Sequence, residues 1–491
     1  MPLRHFYRYY KLIMNANVSI PTYENEQNHE DTEISSPNIP EHIPEHIQMS
    51  NRNHLMGTLS LATPIILCEI FQNTLPLIDL AFVGNLGKIE LAAAALATAW
   101  FNLWNLAMFG FLTAVDTMLA QSSGAGEWKM YGKWTGTSMV VTVGVTFIVG
   151  GAIATCGQAM ILFGQDEHLA SLSGEFSWRL IPGLFPFYLF KILTKYLQTQ
   201  NILAPSVIIG ILANGLNVAT NYVMIYTFGM GLNGAPWATT LTRTIELIMI
   251  IIYMFWYKNT TLQKSWPSFQ WQNMSYKNLD SFLKLSMVGA LSLAAEAWSF
   301  EITTIFAGLI GTTELDAHAI TLSIAGFIFL SFPFAIGIST CIRVGHFIGE
   351  GKSQDAKRSF IVSILFAIVV QIMFMIILIP CGPYIGVLFS SDEDVAHMVE
   401  SLIPVSAIFM IGDAVHANVT GSCRGLGLQK LSFALNVLGF WFLAVPIGAI
   451  LAFLVNLDVL GLWIGFNIGI YSAAILGTIL LVGFVNWGKE V

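Results

Sequence analysis

The chain has 491 residues, 55% of them hydrophobic and only 11% charged, with a mean hydropathy of +0.66. Soluble domains carry about 25% charged residues, so this composition excludes one and points to an integral membrane protein. A net charge of −8 speaks against a nucleic-acid partner, and the five cysteines follow no zinc or disulfide spacing.

Residues 1–54 are polar, rich in Asn, Glu, Pro and Ser, with the short repeat PEHIPEHI at 40–47. Such a stretch cannot bury a core and is expected to be a disordered cytoplasmic tail; no signal peptide is expected. Twelve apolar spans follow, near the roughly 20 residues a helix needs to cross a bilayer. They are expected at 59–83, 91–115, 138–154, 180–197, 207–226, 235–255, 283–310, 317–340, 361–378, 401–420, 432–454 and 460–484. Pro64, Pro76, Pro182, Pro186, Pro333 and Pro446 fall inside them, as in transporters with bent or broken helices.

Basic residues concentrate in alternate loops. Lys129, Lys133, Lys258, Lys264, Lys277, Arg343, Lys352, Arg424 and Lys430 stand between even and odd spans, Lys191 and Lys195 at the end of span four, and Lys489 follows the last. The other loops carry Asp166, Glu167, Asp392, Asp394 and Asp458. The positive-inside rule then places both termini in the cytoplasm. The sequons at Asn17, Asn259 and Asn273 fall on that side, and Asn418 within a span, so none is expected to be used.

The chain repeats itself. GNLGKIELAAAALATA after span one echoes GLIGTTELDAHAITLSI after span seven, a spacing of 224 residues from Glu90 to Glu314. Gly126 and Gly351 are 225 apart in similar glycine-rich loops, and Gly234 and Gly461 are 227 apart. Internal similarity at a fixed period marks repeated units. The expected architecture is all-α: two parallel six-helix lobes, 55–255 and 283–485, related by a pseudo-twofold axis along the membrane normal. Residues 256–282 form a cytoplasmic linker and 486–491 a cytoplasmic C-terminus.

Span seven reads LKLSMVGALSLAAEAWSFEITTIFAGLI, with Glu296 and Glu301 near its middle. A charge at that depth costs roughly 2.5 kcal/mol or more, so it faces a bundle interior or a watery cavity. The two acids lie about 140° apart on a helix and could line one wide cavity without touching. Trp298 and Phe300 between them suit an organic cation. The bland alternative is a pair of hydrogen-bonded structural acids. Further polar groups stand in span one (Glu69, Gln72, Asn73, Asp79), span two (Asn102, Asp116), span six (Arg243 and Glu246, expected to pair) and span ten (Asp413, His416). Desolvation favours the protonated carboxylate, and a bound cation favours the ionised one. Competition between proton and cation at such acids, combined with alternating access, amounts to antiport.

The chain resembles the MATE family, the multidrug and toxic compound extrusion transporters, over about 55–484. The resemblance rests on PLIDLAFVGNLGKIELAAAALA at 76–97, AVDTMLAQSSGAGEWKMYG at 114–132, IPGLFPFYLFKILTKYLQTQNILAP at 181–205 and NGLNVATNYVMIYTFGMGLNGAPWAT at 214–239. EAWSFE at 296–301, PFAIGISTCIRVGHFIGEGK at 333–352 and GSCRGLGLQK at 421–430 extend it through the second half. It implies proton coupling and cation binding at Glu296 and Glu301, and a substrate-pocket acid at Asp413. Ser323 stands where animal members often carry a glutamate, and Asp79 matches an aspartate of many prokaryotic members.

The expected function is a multi-pass, monomeric antiporter in the plasma or vacuolar membrane. It would export small organic cations or amphipathic compounds in exchange for protons, with no cofactor and no enzymatic activity. Its expected site is Glu296, Glu301, Asp413, Asp79, Glu69, Gln72, Asn102 and Trp298, and its partners are the substrate, protons and membrane lipids. The alternatives are sodium coupling and a flippase for lipid-linked glycans; Arg243 alone, the one basic group read deep in a span, is a poor fit to the flippase's anionic substrate.

Overall fold

The structure, a computed structural model, describes residues 49–257, 265, 276–390 and 392–488. Most of the expected tail and linker lies outside them, as do Asn17, Asn259, Asn273, Lys258, Lys264 and Lys489. Among the described residues twelve helices are long and apolar enough to cross a membrane, and there is no strand. They run Asn51–Gly84, Lys88–Gly124, Trp128–Ala154, Glu167–Gln198, Ala204–Thr227, Gly231–Trp256, Asn278–Ile310, Thr312–Gly349, Ser353–Phe389, Glu393–Gly425, Gln429–Leu454 and Asp458–Gly483. Helices suit lipid because every backbone hydrogen bond closes within the segment. An even number of such helices, twelve, brings residues 49 and 488 to one face of the bundle, the terminal face.

Boundaries depart from expectation where local chemistry extends a helix. Span one starts at Asn51, inside the expected tail, because the Ser50 hydroxyl accepts the Asn53 N–H at 3.3 Å. Span seven likewise begins inside the expected linker. Span eight breaks into Thr312–Ser331 and Pro333–Gly349, since Pro333 has no N–H to donate into the first segment. Pro64, Pro76, Pro182 and Pro186 stay inside continuous helices.

The repeat extends to backbone detail. Gly126 and Gly351 take nearly the same left-handed conformation, φ 71° and 72°. Wide π-helical turns occupy Val223–Thr227 at the end of span five and Ile450–Leu454 at the end of span eleven. Their starts are 227 residues apart (223 to 450), the spacing of Gly234 and Gly461.

Span four packs against two, three and six; span ten packs against eight, nine and twelve. Between the two groups, span two lies along seven and eight, and span one along eight and nine. Their closest approaches lie toward the terminal face and are made by glycines. A Cβ on Gly110 would strike the Gly289 backbone and lie 2.8 Å from Ala290 Cα; one on Gly349 would lie 2.7 Å from Ala125 N. Gln121 Nε2 donates to Gly425 O at 2.9 Å across this seam.

A polar latch closes the seam's end. The Asp355 carboxylate accepts the Met49 N–H at 3.3 Å and meets His54 Nε2 at 3.3 Å. His54 is fully buried against Phe347, and Arg343 lies 3.5 Å from its other nitrogen. Hydrogen bonds to a charged group contribute about 1.5 kcal/mol or more, about tenfold in an opening equilibrium. In D355N, aqueous thiol labelling of a cysteine at Thr58, one turn inside the latch and fully buried, should rise about tenfold. Unchanged labelling of T58C would mean that the glycine seam alone holds this face shut.

Candidate functional site

Span seven divides its two acids between different surroundings. The Glu296 carboxylate accepts Asn436 Nδ2 at 3.1 Å, and the same amide donates to Ser292 O at 3.0 Å. Asn436 Oδ1 lies 2.7 Å from His416 Nε2. With the ring donating there, His416 Nδ1 is a bare acceptor, and it has no partner. Asp413, one turn earlier on span ten, is 4% exposed, and its Oδ1 has no hydrogen bond. Neither acid belongs to an ion pair among the described residues.

Beside Glu296 lies a narrow pocket, whose roughly 460 Å³ of empty space includes open solvent; Asp413 is not among its walls. Glu296, His416 and Asn436 form its polar wall, Phe329 and Phe334 an apolar wall, and Thr113 of span two reaches it across the seam. Glu301 is not among its walls. It is exposed in the half of span seven away from the terminal face, on one side with Trp298, Ile305 and Leu309. Asn102 of span two is exposed as well. The five-residue step from Glu296 to Glu301 turns the helix enough to separate them.

Glu69, Gln72 and Asp79 sit in the first six-span group, inside a buried network. Lys191 Nζ lies 3.1 Å from Glu69 Oε2 and 5.4 Å from the Phe109 ring centre. The sequence puts Lys191 at the end of span four, among the charges that set topology; the structure keeps it in span four but buries it, at 7% exposed. The expected Arg243–Glu246 pair is also absent among the described residues. Glu246 accepts Gln72 Nε2 at 2.6 Å, while the Arg243 guanidinium lies 4.3 Å from the Phe187 ring centre and 5.2 Å from that of Phe101. Span one supplies a neutral partner to the acid, and two aromatic faces hold the cation. Asp79 accepts from Asn217 at 3.2 Å, from Asn221 at 2.8 Å and from the Thr239 hydroxyl.

Two stretches of the chain, residues 64–223 and 290–450, each match the MatE family, covering both halves of the repeat. The chain belongs to the MatE family. Among MatE relatives, multidrug and toxin extrusion protein 2 of Mus musculus is 29% identical over 439 residues, 89% of this chain and 76% of the relative. Multidrug and toxin extrusion protein 1 of Homo sapiens is 28% identical over 442 residues, again 89% and 76%. The fold is that of the eukaryotic MATE transporter AtDTX14, with a TM-score of 0.84 at 24% identity over 90% of this chain and 98% of that one. A MATE in the bent conformation gives 0.78 at 19% identity, over 89% and 97%.

Within this MatE chain, three pocket residues escape a sequence reading. Asn436 and Gln429 stand at the start of span eleven as ordinary polar residues, and Arg424 reads as a loop charge. The structure places Arg424 inside the pocket wall, 5% exposed. Its one visible signal is position: it precedes the glycine that ends span ten, so its side chain folds back along the helix.

Proposed function

We propose that this MatE protein is a secondary antiporter that exports organic cations or small amphipathic compounds in exchange for protons. The observation that carries the reading is a pair of carboxylates without a cationic partner in an ion pair among the described residues: half-buried Glu296 on the pocket wall, and buried Asp413 one turn before the wall residue His416. A buried carboxylate without a counter-ion is held by a proton or by a visiting cation, and one excludes the other. Glu301, Trp298 and Asn102 stand outside that pocket on exposed helix faces and would meet substrate on the side away from the terminal face. The loop lysines and arginines support a cytoplasmic terminal face, and the relatives' names as extrusion proteins support export.

Asp79 is a poor second coupling site, because three donors already occupy its carboxylate. The test is uptake of a fluorescent organic cation into proteoliposomes under an imposed pH gradient, with and without sodium. Uptake driven by lumenal acid without sodium is expected. Strict sodium dependence would move coupling away from protons, and no uptake under either gradient would overturn the cation reading.

A further inference from the structure

Span eleven is wound differently from its repeat partner. Span five is an ordinary α-helix over Ala204–Tyr222 before its closing π-turn, whereas span eleven holds a second wide segment, Val437–Ala444. The repeat spacing records the difference. Asn201 and Gly427, the left-handed residues just before the two spans (φ 59° and 75°), are 226 apart, and the closing π-turns start 227 apart. One extra residue therefore enters span eleven between these marks, and a π-turn takes up such a residue inside a continuous helix.

The extra residue changes which side chains share a face. Residues five apart on an α-helix lie about 140° apart. A π-helix closes its hydrogen bonds five residues along, so residues five apart stand on one side. Asn436 and Trp441 are five apart across this segment, and both reach span seven. Trp441 Nε1 donates to Ala295 O at 2.8 Å. Asn436 Nδ2 donates to Ser292 O at 3.0 Å and to the Glu296 carboxylate at 3.1 Å. The turn that carries Glu296 is held at two points by one face of span eleven.

The first half has a twin of only one of these contacts. Asn214 Nδ2 donates to Phe71 O at 2.9 Å. Asn214 and Trp441 are 227 apart and Phe71 and Ala295 are 224 apart, the two spacings of the repeat. The Trp441 contact thus belongs to the frame that both halves share. Five residues before Asn214 stands Ile209, buried and without a side-chain donor. The second half alone puts an amide there, and that amide meets the acid.

We infer that Asn436 and Trp441 are positioning residues for Glu296: the π-helical segment aligns them, Trp441 fixes the turn, and the Asn436 amide donates to the ionised carboxylate. The inference rests on the proton-antiport reading above and deepens it. With His416 Nε2 donating to Asn436 Oδ1, 2.7 Å away, the amide turns its N–H groups toward Glu296. The ionisable groups around Glu296 (Asp413, His416 and Arg424) all stand on span ten, while span eleven supplies a neutral donor. A donor to the charged form favours that form, so Asn436 eases release of the proton.

The test uses the full-length protein in proteoliposomes, with fluorescent-cation uptake read against pH and the amount of inserted protein measured alongside. N436L removes both ends of the amide at similar volume, and N436V stands in if it does not reach the membrane. The midpoint of its pH profile should rise by about one pH unit, since without that donor the acid holds its proton about tenfold more tightly. W441F keeps an aromatic ring and removes the N–H. It should move the midpoint the same way by about half as much, because a neutral hydrogen bond is roughly half as strong as a charge-assisted one. In N436L/W441F the second change should add nothing, because Trp441 acts through Asn436. A W441F profile with less inserted protein and an unmoved midpoint would overturn the role of Trp441 and leave it a packing residue. An unmoved midpoint in N436L, with uptake still driven by the pH gradient, would overturn the proposal and leave the antiporter reading standing. No pH-driven uptake in the wild type would overturn both.

Discussion

E296Q is expected to insert and fold but to lose uptake driven by a pH gradient, by at least a hundredfold, while still binding the fluorescent cation weakly. Glutamine keeps the shape and the hydrogen bond to Asn436, with its own oxygen accepting the Asn436 Nδ2 that now reaches the carboxylate at 3.1 Å. What it removes is the exchangeable proton. General acid–base groups that carry a proton are worth about 10²–10⁴-fold when lost. E301Q should behave differently, because Glu301 is exposed and stands outside the pocket wall. Its loss should raise the apparent KM for the cation and spare the pH dependence. Measuring uptake against external pH for both variants separates the two roles. Identical pH profiles for wild type and E296Q would remove Glu296 from coupling, and a flattened profile in E301Q would move the coupling acid five residues along.

The second large effect concerns the buried pair in the first half. K191M should destabilise the protein by about 3–5 kcal/mol, the usual result of leaving one member of a buried ion pair uncompensated. Lys191 is 7% and Glu69 8% exposed, so water can rescue neither. The double variant E69Q/K191M should recover most of that loss, since removing both charges removes the desolvation as well as the attraction. Thermal unfolding in detergent, read by loss of monodisperse protein, checks both. A K191M melting profile like that of the wild type would mean that Glu69 carries a proton and needs no partner. If the single and double variants are equally unstable, Lys191 matters through its packing on Phe109 and Phe187.

How much of this is legible in the chain differs by feature. The twelve spans are visible because hydropathy is local: each run is apolar enough to be read without knowing its neighbours. The repeat is visible because Gly126 and Gly351 must adopt the same left-handed turn, which holds glycine in place. Glu296 and Asp413 stand out because an acid inside an apolar run has few ordinary explanations. What stays hidden is partnership. Arg243 is three residues from Glu246, close enough on a helix to suggest a pair, yet Gln72 arrives from a span more than 170 residues away and takes the acid. Lys191 lies near the end of span four, where a lysine usually reaches water; here Glu69 from span one turns it inward. Arg424 reads as a loop charge for the same reason. Long-range partners decide where a side chain at a helix end goes, and a one-dimensional pattern does not hold them.

The glycine seam between spans two, seven and eight has a bearing on leakage. Main chain against main chain is held by dispersion, which fades within an ångström of separation. Such a contact has almost no intermediate state: it is fully mated or it is lost. Side chains, by contrast, can follow a receding surface and leave a partly open, hydrated gap through which protons would slip without cargo. Gly110 and Gly289 offer nothing that can follow. In the proposed antiporter the barrier on this face would therefore switch as a unit, and tight coupling would be a property of what these positions lack.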